Sequence, residues 1–155
     1  MREVSGTTWS FQMIILFILI FACFLTLVIA YSKAYTIKNE MLTIIEKYEG
    51  ITEGNDGSLV VINNYLKQNS YKTSGVCPTD TENWFGALDL NGGYEKAQDG
   101  KGYLYCFQEI KKKKDYAYNI KVFYRFYLPV LGDIATFTID GRTNNFRGNE
   151  NRVTK

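Results

Sequence analysis

The sequence predicts an α+β protein. A long N-terminal transmembrane helix continues into an amphipathic helix, a second short helix follows, and an antiparallel sheet of three to four strands completes the chain. Three observations carry this reading. From Met13 to Ala30 there is no charged residue, and the only hydroxyl is Thr26. Neither glycine nor proline occurs between Phe11 and the amphipathic stretch that ends at Gly50. From Gly102 onward, runs rich in Tyr, Phe, Val and Ile alternate with turn residues, the composition that suits strands.

Residues 1–10 form a short N-terminal segment, and residues 11–31 (FQMIILFILIFACFLTLVIAY) meet the length of about 20 apolar residues that crossing hydrocarbon requires. A buried soluble helix would keep a polar stripe, and none is present. Trp9 on one side and Tyr31 and Tyr35 on the other stand where interfacial aromatics sit. A cleaved export signal is the competing reading, because Val28-Ile29-Ala30 places small or modest residues where a signal peptidase reads. The apolar run is long for a signal, and Arg2 is followed directly by Glu3, so a retained anchor is favoured.

Residues 32–50 continue the span as an amphipathic helix. Ala34, Ile37, Met41, Ile44 and Tyr48 recur at steps of three and four, and Gly50 is the stop. Residues 51–147 make up an extracytoplasmic α+β domain, and 148–155 a flexible tail. Within the domain, ITEGNDG reads as a solvated loop, since its acidic residues lack the spacing of a calcium-binding loop. Ser58 is the expected cap of a second helix, SLVVINNYLKQNS, whose Leu59, Ile62 and Leu66 share a face. Residues 71–101 read as a variable region with one short hairpin. YLYCFQEI and YAYNIKVFYRFYLPVL are strands joined through Lys111 to Lys114 and Asp115. The four lysines read as a solvated hairpin tip that discourages edge pairing, in preference to a site for an anionic surface. IATFTIDGRT gives a further strand with a tight turn at Asp140-Gly141.

The chemistry open to the chain is narrow. There is no histidine, which removes the usual general base near neutral pH, the Ser-His-Asp and Cys-His arrangements, and a His-ligated zinc site. Asp80 and Glu82 are the nearest thing to a paired-carboxylate site, and a solvated loop explains them better. No catalytic, cofactor-binding or metal site is expected. A net charge of +2 is too weak to imply a nucleic-acid partner. Of three cysteines, Cys23 lies in the apolar run, whereas Cys77 and Cys106 lie in the polar part. In an exported domain these two suggest one disulfide closing about 30 residues, worth about 3–4 kcal/mol in the chain-entropy model. In a cytosolic domain they would be free thiols. Charge counting conflicts with export, because Lys33, Lys38 and Lys47 follow the span and only Arg2 precedes it. The cysteine pair and the short N-terminus favour placing residues 32–155 outside.

This order of elements resembles type IV pilin-like proteins, and more narrowly the small pseudopilin-like membrane proteins of tight-adherence (Tad) pilus systems. The resemblance lies in Ser5-Gly6-Thr7-Thr8 leading into the apolar segment, in YSKAYTIKNEMLTIIEKYEGIT, and in YLPVLGDIATFTIDGRT. It implies export, retention at the cell membrane or surface, and a role in pilus or secretion-system assembly. It also implies cleavage by a prepilin peptidase after a glycine, with a glutamate five residues on. Gly6 is the candidate processing site, but the fifth residue after it is Phe11, and no carboxylate lies between Gly6 and Glu40. In a pilin that glutamate pairs with a neighbour's N-terminus. A chain without it reads as a minor, assembly-type or unprocessed member.

The expected function is therefore structural and non-enzymatic. Partners would be the membrane, other pilin-like or secretion-system membrane proteins, and further copies of the chain. The alternative is a membrane-anchored binding module for an envelope polymer or a partner protein. Within the span, Ala22 and Thr26 are the clearest small-residue pair, spaced i to i+4, and form the candidate helix-packing seam.

Overall fold

A computed structural model describes residues 2–79, 83–112, 115–128 and 132–147. Helix α1 runs unbroken from Arg2 to Lys47, about 69 Å at the usual rise of roughly 1.5 Å per residue. It takes in the segment read from sequence as a separate N-terminus. Gly6, near its start, does not break it, and with no glycine or proline from Phe11 to Lys47 nothing ends the helix before its capping turn. There Glu49, with φ 52°, takes the left-handed position, the Glu49 N–H reaches Glu46 O and the Gly50 N–H reaches Ile45 O. This is a Schellman cap, with Gly50 one residue beyond the position expected of it. At Gly50 (φ 136°) a Cβ would stand 3.1 Å from the Tyr118 hydroxyl.

Helix α2 spans Ser58–Gln68 and ends in the same way, with Ser70 left-handed. Ser58 does not cap it; Gly57 occupies that position with no side-chain cap bond. Ser58 instead holds the loop between the helices closed. Its hydroxyl donates to Gly50 O and accepts from the Thr52 N–H, while the Thr52 hydroxyl accepts from the Ser58 N–H, all at 2.9 Å. Two local turns thereby satisfy one another's backbone groups, which outweighs a single cap bond.

The sheet is larger than the three to four strands expected. Its six strands are β2 (Trp84–Ala87), β3 (Tyr94–Lys96), β5 (Tyr105–Lys112), β6 (Asp115–Leu128), β7 (Gly132–Arg142) and β8 (Phe146–Arg147). The order is β3-β2-β5-β6-β7, all antiparallel, and β8 extends the β7 side along the start of β6. A separate two-stranded ladder joins β1 (Gly75–Val76) to β4 (Gly102–Tyr103). The hairpin expected between 71 and 101 is β2–β3. The Asp89 carboxylate organises its turn by accepting from the N–H groups of Asn91 and Gly93. Asp140 and Gly141 do not form a turn. They lie inside β7, opposite Lys121 and Ile120. An added Cβ at Gly141 would meet Lys38 and Leu42 of α1 at 3.0 Å, so this glycine serves close helix–sheet approach.

The main core lies between the helices and one sheet face. Ala34, Ile37, Met41, Ile44 and Ile45 of α1 and Leu59, Ile62 and Leu66 of α2 bury against Tyr105, Phe107, Tyr118, Ile120 and Val122. Each of the Ile, Leu, Met, Val and Phe side chains among them is worth about 1.5–3 kcal/mol. The opposite sheet face carries a smaller cluster of Cys77, Trp84, Tyr103, Cys106 and Phe123. Alternation predicts aromatics on both faces of β6, and Phe123 shows why. The β1 segment crosses over it so closely that a Cβ on Gly75 would strike its ring.

Tyr71 joins the two layers. The β5–β6 ladder stops at Tyr105 and Val122, and the Tyr71 hydroxyl is inserted just beyond. It accepts from the Phe123 N–H (3.0 Å) and shares its proton between the carbonyls of Phe123 (2.7 Å) and Leu104 (3.0 Å). Tyr71→Phe removes the partner of buried backbone groups and should cost about 1–3 kcal/mol. Tyr116→Phe, which loses an exposed bond to Glu49 O, should cost no more than about 0.5 kcal/mol. Urea unfolding of the detergent-solubilised protein compares the two, and equal losses would contradict the bridging role.

Candidate functional site

The residues singled out for function fall on three parts of the fold, and the structure does not gather them. Gly6 lies in the first turns of α1. Ala22 and Thr26 lie midway along its apolar run, with Cys23 beside them as a free thiol. Cys77 and Cys106 lie on the far face of the sheet. Asp80, Glu82, Lys113, Lys114, Pro129 and the tail from Gly148 lie outside the described residues.

The apolar run is long and apolar enough to cross a membrane. Its large side chains are exposed, from Phe11 through Phe17 (70%) to Ile29 (67%). The core begins only at Ala34, which is 3% exposed. One rigid helix thus carries two surfaces of opposite fate, and the change takes place over little more than one turn. The Thr26 hydroxyl donates to the Ala22 carbonyl at 2.9 Å, so it is satisfied within the helix. The pair therefore offers smallness rather than an interhelical hydrogen bond.

Where α1 leaves the apolar run, aromatic rings collect. Tyr31 stacks on Tyr35 (centroids 6.3 Å apart) and meets Tyr124 of β6 edge-on (6.1 Å), and Tyr124 stacks on Phe137 of β7 (5.3 Å). The Lys38 ammonium stands 4.1 Å above the Tyr35 ring, a cation–π contact. Sequence reading placed Tyr31 and Tyr35 here. It had no means of bringing Tyr124 and Phe137 to them, because that depends on where β6 lies along the helix.

Cys77 and Cys106 form a disulfide with Cα atoms 5.7 Å apart. It ties the segment after β1 to β5 in the middle of the outer cluster. There Tyr103 lies against Gly86 so tightly that a Cβ would overlap its ring. The Tyr103 hydroxyl donates to Glu95 (2.8 Å) and accepts from the Gln98 N–H (3.0 Å), and Lys101 pairs with Glu95. Lys121 reaches Asp140 at 3.2 Å and stands over Trp84. Among the described residues no group of three or more His, Cys, Asp or Glu is placed to hold a metal ion.

The buried hydroxyls make the domain sensitive to alkali. Burial raises Tyr71 and Tyr105 well above the ordinary tyrosine range, and burial together with Glu109 raises Tyr118 to about 12. The folded state holds these phenols protonated, whereas the unfolded chain releases the protons near pH 10. Their contribution is therefore complete below pH 10 and is lost as pH rises from there toward 12. Near-ultraviolet circular dichroism should be constant from pH 7 to 9 and collapse above about 10, together with a phenolate absorbance jump. Phenolate appearing gradually, with the tertiary signal intact, would show these tyrosines to be accessible.

Comparison with known proteins finds no matching family model, no significantly similar curated protein and no significantly similar solved structure.

Proposed function

We propose that the chain is a single-pass membrane protein with residues 32–155 outside the cytoplasm. It acts without catalysis as a pilin-like or pseudopilin-like component of a pilus or secretion-system assembly. The observation that carries this reading is the division of α1. Its first part is an exposed apolar rod, and its second part is the central helix of the folded domain. Lipid, or the apolar helices of neighbouring subunits, is the environment that removes the first part from water. The order of long helix, short helix and antiparallel sheet agrees with what the resemblance implies. The Cys77–Cys106 bond supports the outward placement, since disulfides persist in oxidising compartments.

The lysines that end β5 are compatible both with contacts to a neighbouring subunit and with the alternative, a membrane-anchored binding module for an envelope polymer or a partner protein. Lys111 and Lys112 end β5, and Asp115 opens β6. Asp115 stands at the opposite end of β6 from the Tyr31–Tyr124 contact, about 30 Å of strand away. On the anchor reading, Lys111 and Lys112 lie at the end of the domain away from the bilayer.

The protein should fractionate with membranes, resist carbonate extraction, and block alkylation at Cys77 and Cys106 until reductant is added, with Cys23 reactive in detergent. A mature N-terminus at Tyr31 would identify the run as a cleaved signal. Alkylation of Cys77 and Cys106 without reductant would place the domain inside.

Assembly through the span would use the Ala22–Thr26 face. No carboxylate lies between Gly6 and Glu40 to pair with a neighbour's N-terminus, so association rests on close packing. Ala22→Leu should weaken association by about 1 kcal/mol or more while leaving insertion intact. Membrane crosslinking compares it with the native chain. Equal crosslinking would leave the span a passive anchor.

A further inference from the structure

The outer half of α1 carries a second stripe beside the buried one. Ala34, Ile37, Met41 and Ile44 are buried. One residue before each stand Lys33, Thr36, Glu40 and Thr43, and Lys47 continues the stepping. All five are exposed. They recur at steps of three and four, so they form one line along the helix. Carried toward the N-terminus, the same stepping passes through Ile29, Thr26 and Ala22. The Ala22–Thr26 seam within the span and this outer stripe are therefore one face.

The face has the two rows of a helix-pairing seam, each repeating every seven residues. In the outer half one row is Thr36 and Thr43. Each hydroxyl donates to the carbonyl four residues back at 3.0 Å, so neither needs a polar partner across a seam. The other row is Lys33, Glu40 and Lys47, alternating in sign. Among the described residues none of these three forms an ion pair within the chain. Copies anchored in one membrane point the same way. Meeting in register, they set Lys33 against Lys33, Glu40 against Glu40 and Lys47 against Lys47, and like charges repel. Displaced by seven residues, about 10 Å of helix, they meet differently. Glu40 of one copy faces Lys33 of the other, and Lys47 faces the other's Glu40. Thr43 then meets the other's Thr36.

We propose that the Lys33–Thr36–Glu40–Thr43–Lys47 face docks a second copy of this chain, parallel and displaced by one seven-residue step. This rests on the assembly reading of α1. Charge complementarity selects both the occupant and the register: the step replaces three like-charge contacts by two opposite-charge ones. The pair is asymmetric, with one copy about 10 Å higher than the other. Two copies at equal depth in a bilayer cannot take this step without drawing one apolar run out of the hydrocarbon. The charged row therefore keeps embedded copies apart and favours contact once one of them is raised.

The test uses full-length protein in detergent micelles, which leave depth free. All variants are made in a Cys23→Ala background, where the Cys77–Cys106 bond leaves no other thiol. Thr36→Cys and Thr43→Cys chains, carrying different tags, are oxidised alone and as a mixture. The mixture should yield crosslinked dimer at least about fivefold more than either chain alone. Glu40→Lys should abolish that bond, and Glu40→Lys combined with Lys33→Glu and Lys47→Glu should restore it. Sedimentation of the Cys23→Ala protein reads self-association independently of any crosslink. Association with equal crosslinking in single and mixed samples, or with none at 36 and 43, overturns the step and leaves assembly standing. Failure of the triple reversal to restore the bond overturns charge pairing as what sets the register. A monomer at every concentration overturns self-association through α1, and the proposal with it.

Discussion

The constraint on which the rest of the structure depends is the continuity of α1. A helix without a break cannot hinge, so the direction of its apolar run dictates the direction of the whole domain. The stripe Ile37-Met41-Ile44-Ile45 is buried in the core that α2 and the sheet share. This burial converts an extended rod into the spine of a folded unit. Gly141 admits the helix to the β6–β7 surface, and the closed loop at Ser58 folds α2 back against the stripe. The Asn144 backbone and side-chain N–H groups both donate to Glu46, which ties the end of the sheet to the last turn of the same helix. Each of these devices fixes the sheet relative to the helix axis, and none would matter if α1 bent.

What sequence could reveal follows from the range of the interactions. The α1 stripe and the α2 face are periodic within a few residues, and both were legible. So was the Cys77–Cys106 bond, because with Cys23 in the apolar run only one pairing remained. Ser58 was legible as a helix-start residue but not in its actual role, since its partners lie six and eight residues back in a loop that has no periodicity. Asp140-Gly141 carries a short-range turn signal. It is overridden because a helix a hundred residues away requires the missing side chain. Tyr71 was invisible for the same reason: its hydroxyl serves Phe123, 52 residues on.

β2 and β3 were expected only as one short hairpin somewhere within 71–101, because they are short. β2 has four residues and β3 three, and no alternation can be read over that length. They become strands because β5 offers an open edge and because Phe85 and Ala87 can join the core that the helices have already closed. Their stability is tertiary in origin. The outer cluster is built on the same logic, with Trp84, Tyr103 and Phe123 gathered around the disulfide.

The lysines after the span raise a conflict between charge counting and the disulfide, and the geometry bears on it. The Lys38 stem packs against Gly141, and its ammonium lies over Tyr35. This residue is part of the helix–sheet joint, and the fold accounts for its presence without reference to the side of the membrane. Positive charge near a span biases orientation chiefly through short loops, while a folded domain translocates largely regardless of it. A disulfide, by contrast, reports the compartment in which the chain folded. Lys38 thus has an account in the fold that Lys33 and Lys47 do not share. The proposed outward placement therefore rests on Cys77 and Cys106, with Lys33 and Lys47 left in the opposing count.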